Sequence, residues 1–379
     1  MTERPEELLE ALRRQGFRTF SYFLGKGNTI FPLWKPGEWS FGVLTEREPP
    51  LEGGEVLFAF AKKRFFRFPF TLKNLGWLRE VLPELAPQTL GEKGAVGLEE
   101  ETLSFFPETF RILWEKDVTP FVHISSQENL EQGILSAVWG AFTGGRKGPF
   151  GASACAREKN HLERALRLGY TVGIFDGRNS IRSEAFSWDE KKLADAFFAL
   201  SPREKETWKR YAERSIRFSE DFVLEFPEKL CLQILLAYFP LLDVLEECFV
   251  SLSGQRFSFD FGIFFENLLP EAHFFLAEEL HRRGVDFGLL LLGAESREHF
   301  LLSQAIQGYR LGFFAEEPIL PREGSYVVLK DFGFRSFREV LAREDPKLFQ
   351  DPLQRETLET LLFRFYEAVA TEMRMRLQS

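Results

Sequence analysis

The sequence contains few histidines and cysteines, which limits the metal and redox chemistry that it can support. Five His and three Cys occur among 379 residues. A catalytic divalent cation needs about three converging His or carboxylate ligands, so this composition predicts a poor metal site. The cysteines, Cys155, Cys231 and Cys248, show no CxxC spacing. Cys231 and Cys248 occur in apolar helical sequence and are predicted to be buried thiols in a reducing cytoplasm.

The sequence also lacks long apolar runs and an excess of positive charge. No uninterrupted apolar stretch is long enough to cross a bilayer, and the formal net charge is −9. That charge argues against a nucleic-acid partner, because phosphate binding needs a basic surface. The N-terminal sequence MTERPEELLEALRRQGF predicts a charged amphipathic helix rather than a signal peptide. We therefore expect a cytoplasmic protein with no membrane partner, and a low Met content with many Arg and Glu favours a thermophilic source.

Phenylalanine, by contrast, is abundant, with 43 residues. A Phe-rich core is the simplest interpretation. The first 70 residues contain short aromatic runs, among them NTIFPLW, WSFGVLT, EVLFAFA and RFFRFPF, separated by Gly and Pro turns. This pattern is typical of a small antiparallel sheet.

From residue 71 onward, short apolar strands alternate with helical stretches. The predicted strands are 95–98, 120–125, 150–155, 171–176, 256–261, 287–292, 309–314 and 326–331. Eight such units favour a (β/α)8 barrel, and an open doubly wound sheet is the alternative. The stretch 187–250 is too long for one crossover and predicts two or three inserted helices, one of them capped at Ser201. We thus expect a small domain at 1–70 and a barrel at 71–379, which closes with a helix at about 353–377.

In a barrel, chemistry collects where the strands end. The polar residues at the predicted strand ends are His123, Cys155, Asp176, Arg178, Asp260, Glu295, Glu316, Glu317, Lys330 and Asp331. His123 is the one histidine at a strand end. His161, His281 and His299 lie beside charged residues on predicted helices and are expected to be solvated, and His273 is expected in a helix. Lys330 with Asp331 would suit carbonyl chemistry, although surface pairing is the simpler interpretation.

Several segments resemble the tagaturonate epimerases, bacterial enzymes that interconvert tagaturonate and fructuronate. The similar segments are FPFTLKNLGWLREVLPELAPQTLGEKGAVGL (68–98), PFVHISSQENLEQGILSAVWGAF (120–142), GASACAREKNHLERALRLGYTVGIFD (151–176), HFFLAEELHRRGVDF (273–287) and FREVLAREDPKLF (337–349). The resemblance implies a barrel fold and hexuronate epimerisation with a divalent metal.

The sequence departs from this family where the resemblance places the metal site. Two Asp and a His expected of the family would fall on Ser153, Cys155 and Ala156. An expected Asp-Glu pair would fall on Gly262 and Ile263, and Thr109 replaces an expected His. A loop resembling His-Ser-Gly-Ser-Asp is expected after the seventh strand, where FFAEEPILPREG (313–324) stands instead. Asp176 and His273 remain, so the resemblance implies a site whose metal has been lost.

Three functional hypotheses follow. The first is a diverged relative without epimerase activity that binds a sugar acid or pairs with an active enzyme. The second is an active epimerase, isomerase or lyase with a rebuilt site. The third is a protein that oligomerises through a Phe-rich surface. The predicted catalytic residues are Asp176, Lys330 and Asp331, and the predicted substrate-binding residues are His123, Arg178, Glu295 and His273. No metal or other cofactor is predicted.

Overall fold

The computed structural model describes residues 5–19, 21–35, 38–60, 62–91, 94–99, 109–125, 129–254, 258–315, 321 and 325–329. The predictions that concern Glu316, Glu317, Lys330, Asp331 and the helix at 353–377 lie outside these residues. None of the helices within the described ranges combines the length and the apolar character that crossing a bilayer requires.

The aromatic runs near the N-terminus form a five-stranded antiparallel sheet, as predicted. Helix α1 (Pro5–Arg14) precedes the strands β1 (Phe23–Gly25), β2 (Asn28–Lys35), β3 (Glu38–Thr45), β4 (Glu55–Phe60) and β5 (Lys63–Pro69). Their order in the sheet is β1-β2-β3-β5-β4. Because successive side chains point to opposite faces, Phe65 packs with Leu8 and Leu12 of α1, whereas Phe66 faces the rest of the chain. Both faces of the sheet are therefore covered.

Four strands that alternate with helices follow this sheet. The strands are β6 (Ala95–Glu99), β7 (Thr119–Ile124), β8 (Gly151–Ala156) and β9 (Val172–Asp176). The helices are α2 (Leu72–Val81), which precedes β6, and then α3 (Thr109–Glu115), α4 (Leu130–Thr143) and α5 (Lys159–Leu168). The strands agree with their predicted positions to within one residue at each end.

A mainly helical insertion separates β9 from the next barrel strand. It contains α6 (Glu190–Ala199), α7 (Pro202–Tyr211), β10 (Arg214–Arg217), β11 (Val223–Phe226) and α8 (Glu228–Ser253). The predicted cap of α7 is present, since the Ser201 hydroxyl accepts a hydrogen bond from the Glu204 amide and the Glu204 carboxylate accepts one from the Ser201 amide. The β10–β11 hairpin was not predicted, because its four-residue strands are bounded by charged residues that match either a helix or a loop.

The last described elements complete the barrel. They are β12 (Asp260–Phe265), α9 (Pro270–Arg282), β13 (Leu289–Leu292), α10 (Arg297–Ile306), β14 (Arg310–Ala315) and β15 (Tyr326–Leu329). The eight parallel strands follow the order β12-β13-β14-β15-β6-β7-β8-β9 and close where β9 pairs with β12. The (β/α)8 prediction is therefore confirmed, and the open sheet is excluded.

Strand β12 does not lie where the sequence predicted it. Asp260 begins the strand rather than ending it, because the apolar run continues to Phe265. Asp260 therefore lies at the end of the barrel opposite to the mouth, where its carboxylate accepts a 2.6 Å hydrogen bond from the Leu90 amide. Burial, the largest influence, raises the pKa of Asp260. This residue does not belong to the mouth.

The barrel interior is filled by alternate side chains of its strands. Its apolar cluster includes Phe121 of β7, Ile174 of β9, Phe264 of β12 and Tyr326 of β15. The neighbouring positions on each strand pack outward against the helices, as Ile263 does. The abundant phenylalanine serves mainly this packing, since Phe198 is the one exposed Phe among the described residues.

We predict that Gly151→Ala lowers the free energy of unfolding by about 1–3 kcal/mol, the usual cost of overpacking a core. Gly151 pairs with Phe121 in the barrel, and an added Cβ would lie 1.9 Å from a carbon of that ring. Gly76→Ala on α2 is the matched control, because its Cβ would meet nothing within 4 Å. That control should gain about 0.5–1 kcal/mol from helix propensity. Urea unfolding measures both, and equal stability of Gly151→Ala and wild type would contradict the packing described.

Candidate functional site

Three hydrogen-bonded side chains occupy the centre of the barrel. The Ser153 hydroxyl lies 2.9 Å from His123 Nδ1 and 2.9 Å from the Tyr326 hydroxyl. Each of the three residues is at most 1 % exposed. Burial raises the pKa of Tyr326, so its phenol stays protonated at neutral pH. This group satisfies buried polar atoms inside the barrel, and it places the predicted substrate-binding residue His123 beneath the mouth.

Two phenylalanines cover this polar centre on the side of the mouth. The rings of Phe264 and Phe314 are 5.2 Å apart, and Phe314 also contacts the His123 ring edge-on at 5.7 Å. Cys155 is buried in the same interior cluster. Burial, followed by the nearby Asp176 charge, raises the pKa of the Cys155 thiol. Cys155 is therefore a protonated packing residue rather than a nucleophile.

Asp176, at the carboxyl end of β9, is held by two arginines. The Arg178 guanidinium donates two 2.9 Å hydrogen bonds to the two carboxylate oxygens, and Arg157 adds one of 3.3 Å. Burial acts to raise the pKa of Asp176, but the hydrogen bonds from Arg178 and then Arg157 hold it below its ordinary value. The Arg178 guanidinium also lies 4.6 Å above the Phe264 ring. The predicted residues Asp176 and Arg178 thus form an ion pair, and Asp176 is an ionised acceptor.

The residues at the expected metal positions do not form a ligand set. Ser153 and Cys155 face the interior, where they offer a hydroxyl already bonded to two side chains and a protonated thiol. In the described ranges, no three His, Cys, Asp or Glu side chains come close enough together to hold a metal ion. These donors do not fit the divalent cation that the family resemblance implies.

Three of the positions at which the resemblance places metal-site residues do not line the mouth. Ala156 and Ile263 belong to the outer core that packs against the helices, because they occupy the outward positions of β8 and β12. Gly262 lies within β12 and pairs with Ile174 and Leu289 halfway along the barrel. The misplaced start of β12 accounts for the errors at Gly262 and Ile263.

A pocket of about 790 Å³ opens beside the mouth, next to the ends of β9, β12 and β13. Two of the predicted substrate-binding residues, Arg178 and Glu295, line it together. Its other charged residues in the described part of the chain are Glu266 and Glu298, and Phe186 and Tyr238 supply aromatic surface. Arg178 Nη1 lies 3.9 Å from the Glu266 carboxylate. The pocket therefore combines apolar walls with carboxylates and one guanidinium, a composition suited to small-molecule binding.

His273 does not line this pocket but contacts a residue that does. His273 Nδ1 lies 2.9 Å from Nδ1 of His299, which faces the pocket. The prediction that His299 is solvated is wrong, because His299 is 5 % exposed. The wrong prediction followed from the charged neighbours Arg297 and Glu298. His299 lies three residues before the buried Leu302 on α10, and this helical spacing places both on the inner face of the helix. His273 and His299 each follow a barrel strand near the start of a helix, a repeated placement visible in the sequence.

Comparison with known proteins relates the chain to hexuronate enzymes. The family model of tagaturonate epimerase matches residues 52–292. A curated tagaturonate/fructuronate epimerase of Thermotoga maritima is 27% identical over 284 residues, and the match covers 70% of this chain. The match spans 58% of that relative's length.

Solved structures of fructuronate-tagaturonate epimerase from Cohnella laeviribosi have a similar fold. A glycerol complex gives a TM-score of 0.76 at 17% identity and covers 97% of this chain and 82% of the other. The native structure gives 0.75 at 18% identity with the same coverage. At this identity the likeness establishes the architecture alone.

We predict that Asp176→Asn lowers the free energy of unfolding by about 1–2 kcal/mol at pH 7, because charge-assisted hydrogen bonds to two arginines are weakened. The folded-state pKa of Asp176 is lowered, so its contribution is present above about pH 4 and is lost as the pH falls further. The difference between variant and wild type should therefore shrink in acid.

Glu266→Gln is the control for Asp176→Asn, since this carboxylate is 63% exposed and lies 3.9 Å from Arg178. It should change stability by less than about 0.5 kcal/mol. Chemical denaturation at several pH values measures both variants. Equal losses of stability in the two variants would show that the buried Asp176 carboxylate contributes no more than the exposed one.

Proposed function

The chain belongs to the tagaturonate epimerase family, and on that premise we propose that it binds a sugar acid without epimerising it through a metal. The observation that carries this proposal is the engagement of Asp176 by Arg178 and Arg157. Asp176 is the carboxylate that the sequence retains at the expected site. A carboxylate that accepts hydrogen bonds from two guanidinium groups is a weak base and a poor metal ligand.

The interior of the barrel supports the same proposal. Phe264 and Phe314 occupy the space above Ser153, where an epimerase of this family would need room for a metal and a reacting sugar carbon. Ser153 itself is bonded to His123 and Tyr326. Metal-dependent proton transfer at this position would require these aromatic rings to move and this hydrogen-bond group to break.

Sugar-acid binding is supported by the two arginines that hold Asp176, of which Arg178 lines the pocket. Asp176, Arg178 and Arg157 contribute one negative and two positive charges, so this cluster carries one net positive charge. Arg178 and Arg157 side chains are 37% and 56% exposed, and a guanidinium binds a carboxylate with directional hydrogen bonds. Glu266, Glu295 and Glu298 in the pocket lining repel the same anion. We therefore propose weak binding.

We predict that calorimetry with tagaturonate, fructuronate and galacturonate detects binding in the millimolar range, about 4 kcal/mol of affinity. Arg178→Gln should weaken it about tenfold, because the arginine that lines the pocket no longer supplies a charge-assisted hydrogen bond. Arg203→Gln, which removes an exposed arginine on α7, is the matched control and should leave binding unchanged.

An NMR assay for product, with and without added Zn²⁺, Mn²⁺ or Ni²⁺, separates the proposal from its alternatives. No product is expected under any of these conditions. Epimerised product would support an active enzyme with a rebuilt site. Absence of both binding and product would favour an interaction protein. Size-exclusion chromatography would then test whether the chain assembles with copies of itself or with an active relative. Such assembly stays a prediction.

A further inference from the structure

The loop that follows β9 supplies one side of the pocket. Residues 177–188, here called the pocket loop, leave the barrel at Gly177, whose amide donates a 3.0 Å hydrogen bond to the Phe264 carbonyl. The near end of the loop is held by the Asp176–Arg178 ion pair. The far end contains a short 3-10 helix (Ser183–Ser187). Four residues of the loop line the pocket: Arg178, Ile181, Ser183 and Phe186.

Helix α8 of the insertion holds the far end of the pocket loop by two hydrogen bonds. The Arg182 amide donates a 3.2 Å hydrogen bond to the Ala237 carbonyl, and Gln233 Nε2 donates a 3.0 Å hydrogen bond to the Phe186 carbonyl. Gln233 and Ala237 are both buried. They are four residues apart in the helix, so they lie on the same face. The backbone of the loop is therefore fixed to the inner side of α8.

The same part of α8 also contributes directly to the pocket. Tyr238 lines the pocket, and its ring lies 6.4 Å from the ring of Phe186, at 70° to it. On its other side Tyr238 contacts Phe265 of β12, edge-on at 6.1 Å. The segment 233–238 of α8 thus joins the pocket loop to the barrel wall.

A proline interrupts α8 immediately after this segment. Pro240 lies inside the helix and not in its first turn. Proline has no amide proton, and its ring clashes with the carbonyl of the residue four positions earlier, here Leu236. In a regular helix the Leu236 and Ala237 carbonyls would point along the axis toward the amides at positions 240 and 241. The proline therefore opens the turn whose Ala237 carbonyl accepts the hydrogen bond from Arg182.

We propose that Pro240 and Gln233 are positioning residues of the pocket. Pro240 makes the Ala237 carbonyl available to the Arg182 amide, and Gln233 holds the Phe186 carbonyl, so that the pocket loop is fixed before a ligand arrives. A ligand that meets a fixed loop loses less conformational entropy on binding. The effect on sugar-acid binding rests on the function proposed above, whereas the anchoring of the loop does not.

Hydrogen exchange of backbone amides in Pro240→Ala tests the anchoring without any ligand. Alanine restores an amide proton for the Leu236 carbonyl and favours a regular helix, in which the Ala237 carbonyl turns back toward the helix axis. The Arg182 amide should then exchange about tenfold faster than in the wild type, since its hydrogen bond is lost. The Gly177 amide is the internal reference and should keep its rate, because its acceptor belongs to the barrel.

Val244→Ala is the matched control for Pro240→Ala. Val244 lies on α8 one turn beyond Pro240 and is 44% exposed. Alanine there raises helix propensity without adding an amide proton, so the Arg182 exchange rate should not change. An unchanged Arg182 rate in Pro240→Ala would overturn the proposal. An acceleration that Gly177 shares equally would also overturn it, because the proline would then serve only the packing of α8.

Gln233→Met tests the second anchor and leaves the backbone of α8 unchanged, so it remains informative even if Pro240→Ala does not fold. Methionine keeps the length of the side chain but cannot donate to the Phe186 carbonyl. Loss of this hydrogen bond should loosen the 3-10 helix, and the Arg182 amide should exchange about fivefold faster. Equal exchange at Arg182 in Gln233→Met and the wild type would refute the role of Gln233.

Titration of ¹⁵N-labelled protein with galacturonate, followed by NMR, then tests the effect on the pocket. Pro240→Ala and Gln233→Met should each weaken binding about fivefold, and Val244→Ala should bind as the wild type does. If galacturonate does not bind to the wild type, the sugar-acid proposal fails, and the exchange rates still decide the anchoring. If the variants bind as tightly as the wild type although Arg182 exchanges faster, the role of the anchors in the pocket is refuted.

Discussion

The barrel interior has to be filled by side chains from alternate strand positions, and this constraint decides what remains possible at the mouth. Phe121, Ile174 and Tyr326 fill the lower part, and Phe264 with Phe314 fill the upper part. A barrel that supports chemistry on its axis keeps polar groups and space in the upper part. In this chain aromatic rings occupy that space, so the accessible cavity lies to one side, next to the ends of β9, β12 and β13.

Electrostatics at the mouth follow from this packing. Phe264, the cross-strand neighbour of Asp176, lies under the Arg178 guanidinium, and the buried Asp176 depends on Arg178 and Arg157 for its hydrogen bonds. The two arginines are oriented by the buried carboxylate, while their outer atoms face solvent. Asp176 thus acts as an anchor for two cations, a role different from that of a metal ligand or a general base. The carboxylates across the pocket limit how strongly those cations attract an anion.

The sequence predicted the fold more completely than the site, and particular residues show why. Alternation of apolar strands with helices depends on local periodicity, so the first four barrel strands were placed to within a residue. β12 was misplaced because FDFGIFF is apolar at both ends, and only its pairing with β9 and β13 fixes where it starts. Because β12 starts at Asp260 and not at residue 256, Asp260, Gly262 and Ile263 lie farther from the mouth than the sequence predicted.

The contacts of the site depend on residues that are distant in the sequence. Arg157 approaches Asp176 because β8 and β9 are neighbours, and no local pattern marks that arginine. The polar group of His123, Ser153 and Tyr326 joins three strands. His299 was placed in solvent because its immediate neighbours are charged, whereas its position on the helix faces inward. Side-chain pairing across elements is therefore what the sequence alone did not supply.

The contact between Trp39 of the N-terminal sheet and Trp139 of α4 has a consequence for cooperativity. The indole rings are stacked, 5.5 Å apart and 8° from parallel, within a core that continues from the sheet into the barrel helices. Sheet and barrel therefore share one interior, and removal of the sheet would expose the indole and the apolar side chains around it to water. The change of secondary structure near residue 70 therefore does not mark a place at which the sheet and the barrel separate or unfold independently. The two stacked indoles are coupled as chromophores. Their optical signal therefore reports whether the N-terminal sheet and the barrel unfold in a single step.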